Sequence, residues 1–148
     1  MANEASNVPD VLSKWPGIYQ VHNVPVDLSD AVSDTAGTNY YKVLGIVDAD
    51  TVLVDAEVVF LDAATDIGNR TLGIYYIPAG SDIDGAVALS TNSVDLKNIT
   101  NEGAPQSLSL DASKFPLTEG SVLLVRCDGA TTGLAGLVVK FRTRPPRK

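Results

Sequence analysis

Cysteine, histidine and tryptophan each occur once in this chain, as Cys127, His22 and Trp15. One cysteine cannot close an intramolecular disulfide, and one cysteine with one histidine cannot build a zinc site of the usual Cys/His kind. Nucleophilic hydrolysis would need His22 beside a serine in a G-x-S-x-G elbow, and that motif is missing. His22 therefore reads as an ordinary strand histidine. Cys127 sits inside an apolar run, where a thiol is buried and inert. Long hydrophobic stretches are missing too. None approaches the roughly 20 residues of a membrane span. Met1 to Asn7 has neither the basic nor the apolar region of a signal peptide, so synthesis in a host cytoplasm without secretion is expected. No segment keeps a long 3.6-residue period, and there is no internal repeat. Gly129, Gly133 and Gly136 do not precede a helix, so they form no phosphate loop.

Acidic residues are plentiful but do not assemble into a known site. Asp82, Asp84 and Gly85 resemble the start of a calcium loop, yet an EF-hand needs a glutamate where Ser93 stands. Asp48 and Asp50 have the same loop character. No pair of carboxylates stands out for glycoside cleavage. Neither a metal nor a cofactor is expected.

What remains is a chain of 148 residues, one domain by length, with short β-rich runs separated by turn residues. Tyr40 to Val47, Thr51 to Leu61 and Arg70 to Ile77 read as strands. In the second, Val52, Val54, Ala56, Val58 and Phe60 fall on one face, and Leu53, Asp55, Glu57, Val59 and Leu61 on the other. A first strand is expected near Gly17 to Asn23, edged by Pro25. Gln106 to Asp111 alternates, with Leu108 and Leu110 inward. Ala86 to Leu89 and Val94 to Ile99 fit either strand or irregular chain. Two closing runs, Gly120 to Cys127 and Leu134 to Arg142, flank the turn cluster Asp128 to Gly133. They read as an antiparallel hairpin with Val122, Leu124, Val139 and Phe141 buried. About eight strands at 8–12-residue spacing point to a sandwich or barrel.

Charge is divided along the chain. Residues 1–139 sum to −12, whereas the last nine residues carry +5 from Lys140, Arg142, Arg144, Arg147 and Lys148. An acidic body repels nucleic acid and anionic membrane, so neither is expected as a partner. The basic end reads either as a solubilising tail or as a strip that meets acidic side chains of a protein partner. Tyr40–Tyr41 and Tyr75–Tyr76 are adjacent pairs, so one tyrosine of each faces the core and one faces out. An outward tyrosine can stack on a sugar or anchor an interface.

The closing pattern, Pro116 to Val125 through the Gly/Thr loop to Leu137 to Arg142, resembles the last hairpin of small virion proteins of tailed bacteriophages. Head decoration (cement) proteins and related jelly-roll subunits belong to that group. The resemblance implies a β-sandwich that binds a capsid, often as a trimer, and performs no chemistry. The expectation is thus an all-β, jelly-roll-like antiparallel β-sandwich of about eight strands. Residues 1–16 form an extended N-terminal arm, residues 17–144 the sandwich domain and residues 145–148 a basic tail. Its role is that of a non-enzymatic capsid decoration protein on the virion surface. Its partners are the major capsid protein or other virion subunits and further copies of itself. Val11, Leu12 and Trp15 of the arm, with Arg144, Arg147 and Lys148, are the candidate partner-binding residues. The alternative is a carbohydrate-binding β-sandwich module working through outward tyrosines. A small hydrolase is a third reading, disfavoured by the lone histidine.

Overall fold

A computed structural model describes residues 19–146. Among them ten strands form two antiparallel sheets. In chain order they are β1 (Gln20–Pro25), β2 (Val32–Ser33), β3 (Tyr40–Ile46), β4 (Val52–Val59), β5 (Thr71–Ile77), β6 (Val87–Ala88), β7 (Val94–Asp95), β8 (Gln106–Leu108), β9 (Val122–Cys127) and β10 (Val138–Arg144). One sheet has the order β1-β10-β4-β8, the other β2-β3-β9-β5-β6, with β7 also paired to β5. Set aside the short strands β2, at the sheet edge, and β7, off the main path, and two sheets of four remain. With β7 left out, the chain from β3 onward changes sheet at every connection except β5 to β6. This wrapping is the double Greek key of a jelly roll. The protein is an all-β sandwich with that topology.

Facing side chains of the two sheets fill the space between them. Ala56, Val58 and Phe60 lie opposite Leu72, Ile74, Val125 and Cys127 in one buried cluster that also holds Val139 and Phe141. Burying an aliphatic side chain of this size contributes about 1.5–3 kcal/mol. The sandwich therefore holds through its interior rather than through its surface ion pairs.

Three expectations change. The closing runs do not form a hairpin. β9 is held between β3 and β5, and β10 between β1 and β4, in opposite sheets. Each strand already has two neighbours, so neither has an edge free for the other. Residues 128–137 cross between the sheets and are fixed on the way. Leu61 and Asp62 both donate their N–H to the Ala135 carbonyl, at 2.9 and 3.1 Å, and the Val26 N–H donates to Leu137 O at 2.9 Å.

Second, the residues of β9 in the central cluster are Leu123, Val125 and Cys127; Leu124 is buried as expected, at 3% exposure, but on the other face beside Tyr75, and Val122 is only half-buried. Val122 to Val125 is apolar at every position, so alternation alone gives no phase there. Third, the faces of β4 switch part-way. Arg142 pairs with Asp55 but Thr143 pairs with Leu53, which leaves Val54 as an extra residue. That β-bulge puts Leu53, not Val52 or Val54, on the buried side with Ala56 and Val58. Leu44 is a second extra residue, on β3, since Val43 pairs with Leu124 and Gly45 with Leu123.

Candidate functional site

Two regions combine unusual geometry with side chains able to engage something else. The first is a cleft between the sheets at the end carrying the β3–β4 turn. Both bulges lie in the strand segments that flank this turn. Bulges bend strands and are common beside functional sites. The cleft measures about 590 Å³, with His22, Val24, Leu44, Leu53, Leu123 and Phe141 on its walls. Tyr19, Asp48, Asp50 and Arg144 also line it. The turn is locked from outside. Thr51 and Leu117 exchange backbone hydrogen bonds of 3.0 and 2.7 Å, and the Asp50 carboxylate accepts the Glu119 N–H at 3.1 Å.

His22 shows what this cleft can do chemically. Its ring stacks on Phe141 with centroids 4.8 Å apart, and Nε2 lies 3.0 Å from the Thr143 hydroxyl. These contacts pack and orient the imidazole against the sheet. Asp48 and Asp50 line the same cleft, yet no hydrogen bond joins either to His22 among the described residues. The arrangement is one of shape, apolar walls and a hydroxyl.

The second region is the opposite end, where three connections are tied into one platform. The Ala63 N–H donates to the Glu102 carboxylate at 2.8 Å. Ala64 N–H reaches Leu96 O, and Thr65 N–H reaches Thr132 O, both at 2.8 Å. Arg70 Nε donates to Ala130 O at 2.6 Å, and the Asp128 carboxylate accepts the Thr71 N–H at 2.8 Å. Asp128 thus anchors β5 rather than turning a hairpin. On these fixed loops stand bulky aliphatic residues in water: Ile67 is 97% exposed, Ile99 71% and Leu61 63%. Sequence reasoning missed all three. The signal was an isoleucine inside a run of loop formers, as in Thr65-Asp66-Ile67-Gly68-Asn69.

The remaining candidates fall as follows. Arg144 ends β10, lines the cleft and donates from Nη1 to Pro145 O at 2.9 Å. Val11, Leu12, Trp15, Arg147 and Lys148 lie outside the described residues. Lys140 and Arg142 point away from the core, as the alternation implies, but both already have partners. Lys140 meets Glu57 at 3.6 Å, and Arg142 holds Asp55 in a bidentate pair. Hydrogen bonds from Arg142 keep the Asp55 carboxyl below the ordinary carboxylate range. The calcium-like residues are engaged internally: Asp82 accepts the Asp84 N–H at 3.2 Å, and Asp84 accepts the Thr35 N–H at 3.1 Å. Cys127 is fully buried, and burial pushes its thiol up to about 11.

The outward tyrosines resolve as a pair. Tyr76 packs against the core, and Tyr41 and Tyr75 share the outer face. That face offers no bare aromatic platform. Tyr41 is only 6% exposed, it meets Tyr75 edge-on at 6.2 Å, and the Arg126 guanidinium lies 4.3 Å from the Tyr75 ring. Burial raises the Tyr75 phenol above its usual range, with Arg126 opposing the shift.

No family model and no curated protein matches the chain. Solved structures do. One is the structure of infectious bursal disease virus, Gx strain, at 13% identity and a TM-score of 0.42, over 86% of this chain. Another is the D431N mutant VP2 protein of infectious bursal disease virus in derived T=1 particles, at 18% identity and a TM-score of 0.35, again over 86% of this chain. This chain spans 32% of the length of each. Superpositions at this level carry no weight in the functional reading. Among the described residues no helix is long and apolar enough to cross a membrane.

Proposed function

We propose that this chain is a non-enzymatic structural subunit of a phage virion, a decoration protein on the capsid exterior. It binds the major capsid protein or another virion subunit and associates with copies of itself, a trimer being the favoured state. Jelly rolls serve as capsid, lectin and cupin domains, so the fold alone does not choose among these. The observation that carries the reading is the hydrogen-bonded loop platform with Ile67, Ile99 and Leu61 exposed on it. A rigid surface with apolar tips loses little conformational entropy when it docks. Glycan binding finds less support, because Tyr41 is buried and Tyr75 lies under Arg126.

The experiment compares occupancy on purified particles for the native chain, for Ile67→Asp with Ile99→Asp, and for Arg144, Arg147 and Lys148 replaced by Ser. The aspartates should cut occupancy while leaving the melting temperature of the free subunit unchanged, since both side chains already stand in water. The serine variant should lose occupancy at low salt and little at high salt, where the screening length falls from about 10 Å at 0.1 M to about 3 Å at 1 M. Native occupancy by both variants, or absence of the protein from purified virions, would refute the proposal.

A further inference from the structure

Among the described residues, the ends of the two sheets are β1 with six residues, β8 with three, and β2 and β6 with two each. Folded chains keep sheet edges short or guard them with charge, because an edge offers unpaired backbone groups to any extended chain. β8, β2 and β6 are protected by their length. β1 is not, and Gln20-Val21-His22-Asn23-Val24-Pro25 holds no Lys, Arg, Asp or Glu. Among the described residues it pairs with β10 alone. In an antiparallel ladder, successive residues turn their N–H and C=O to opposite sides. Every second residue of β1 therefore presents its backbone groups away from β10.

The strand that fits this edge is β1 itself. Val21, 54% exposed, and Asn23, also exposed, stand beside Arg142 and Lys140 of β10. Those two cations are held by Asp55 and Glu57, so no unpaired charge at the edge selects a foreign strand. The chain carries 18 acidic residues and a net charge of −7, so two copies repel over most of their surfaces. An uncharged edge is where they approach at least cost. Strand partners share a face and neighbours along a strand do not. A two-fold pair therefore continues the sheet only with its axis through a residue, not between two. With the axis at Asn23, Val21 meets Pro25 of the second copy and His22 meets Val24. The two Asn23 amides then face each other, each with a donor and an acceptor. Gln20, His22 and Val24 line the cleft, so the added strand supplies the cleft with a further apolar wall.

We infer that β1 is a docking edge for β1 of a second copy of this chain, in an antiparallel two-fold pair centred on Asn23 that joins two four-stranded sheets into one. A seam of six residues is small for an interface, so pairing is reversible. The contact goes beyond the capsid reading and does not depend on it, because it is tested on the isolated protein. It doubles whatever unit a three-fold contact elsewhere builds.

Val21→Lys with Asn23→Lys brings two lysines from each copy to the seam, and both side chains stand in water in the single copy. Sedimentation equilibrium of the full chain from about 1 μM to about 1 mM compares it with this variant. The native chain should reach twice the mass of the variant as concentration rises. Equal masses would overturn the assignment, and so would a ratio of three. Should the variant fail to fold, amide hydrogen exchange of the native chain decides the matter. The β1 amides that face away from β10 should exchange fast in dilute solution and slowly at high concentration. Protection at every concentration would give the edge to the chain's own residues and reject the assignment. Fast exchange at every concentration would reject it too. Either failure leaves the particle-occupancy test of the capsid reading untouched.

Discussion

Two glycines with nearly the same backbone and very different surroundings test the crossover between the sheets. Gly37 has φ of +73° and Gly136 has φ of +70°. An alanine at either site must hold the left-handed conformation, at about 1–2 kcal/mol. Part of that is offset by roughly 0.4–1 kcal/mol, because alanine restricts the unfolded chain more than glycine does. The backbone contribution is therefore about 1 kcal/mol at each, and it cancels in the comparison. The surroundings do not cancel. A Cβ at Gly37 meets nothing within 4 Å, whereas at Gly136 it comes within 2.6 Å of Leu61 Cγ and 2.9 Å of Leu61 Cβ. Rotating the leucine moves its Cγ but not its Cβ. The backbone must then yield, and there Leu61 N–H is bonded to Ala135 O. Overpacking of this kind costs about 1–3 kcal/mol. Gly136→Ala should thus lose about 2–4 kcal/mol in total, and Gly37→Ala about 1. Equilibrium urea unfolding followed by far-ultraviolet circular dichroism measures both, provided the denaturant slope is the same for the two variants. Equal losses would mean that residues 128–137 do not cross against the end of β4 as described.

Two other expectations concern ionisable groups. Cys127 ionises near 9 when unfolded and near 11 when folded. Between those values the unfolded chain binds fewer protons, so its thiol removes about 2–3 kcal/mol of stability as pH rises from 9 to 11. Cys127→Val should flatten that part of the curve, and labelling by Ellman's reagent should be limited by opening of the sandwich. An unchanged slope in the variant would place the thiol in water. The Asp55–Arg142 pair stabilises above the ordinary carboxylate range and is lost as pH falls through the lowered value of Asp55. Both side chains are partly in solvent, so Asp55→Asn should cost under about 1 kcal/mol at neutral pH; a loss well above that in chemical denaturation would show that the pair organises β10.

The strands that can be read from sequence are those whose pattern is local. Tyr40 to Val47 and Arg70 to Ile77 match β3 and β5 closely, because turn residues bound them and β-branched and aromatic residues fill them. β2 and β6 are two residues each, too short for any period, and exist only because a longer strand offers an edge. The closing runs illustrate a deeper limit. Asp128 to Gly133 has the residues of a hairpin turn, yet its groups bond to Thr71 and Arg70 far away in sequence. Nothing within the run distinguishes turning back on one sheet from crossing to the other. Of the proposed contact residues, Arg144 alone is described, and it lines a cleft that depends on two bulges invisible to alternation. Ile67 was legible in principle, as an apolar residue where the local pattern has no use for one.

The place of β10 also sets the order in which the molecule can be made. β10 is the last strand, and it lies between β1 and β4 in the first sheet. Among the described residues β1 pairs with no other strand of that sheet, so the first described strand waits for the last described one. His22 and Thr143, in hydrogen-bond contact, are 121 residues apart in the chain. Pairing over such separations makes β-sandwich folding slow, on the scale of milliseconds to seconds. During synthesis β9 can settle between β3 and β5 before β10 leaves the ribosome, while β1 and β4 still present open edges across an empty slot. A nascent chain in that state is open to any extended segment that fits the slot, including β10 of a sister chain.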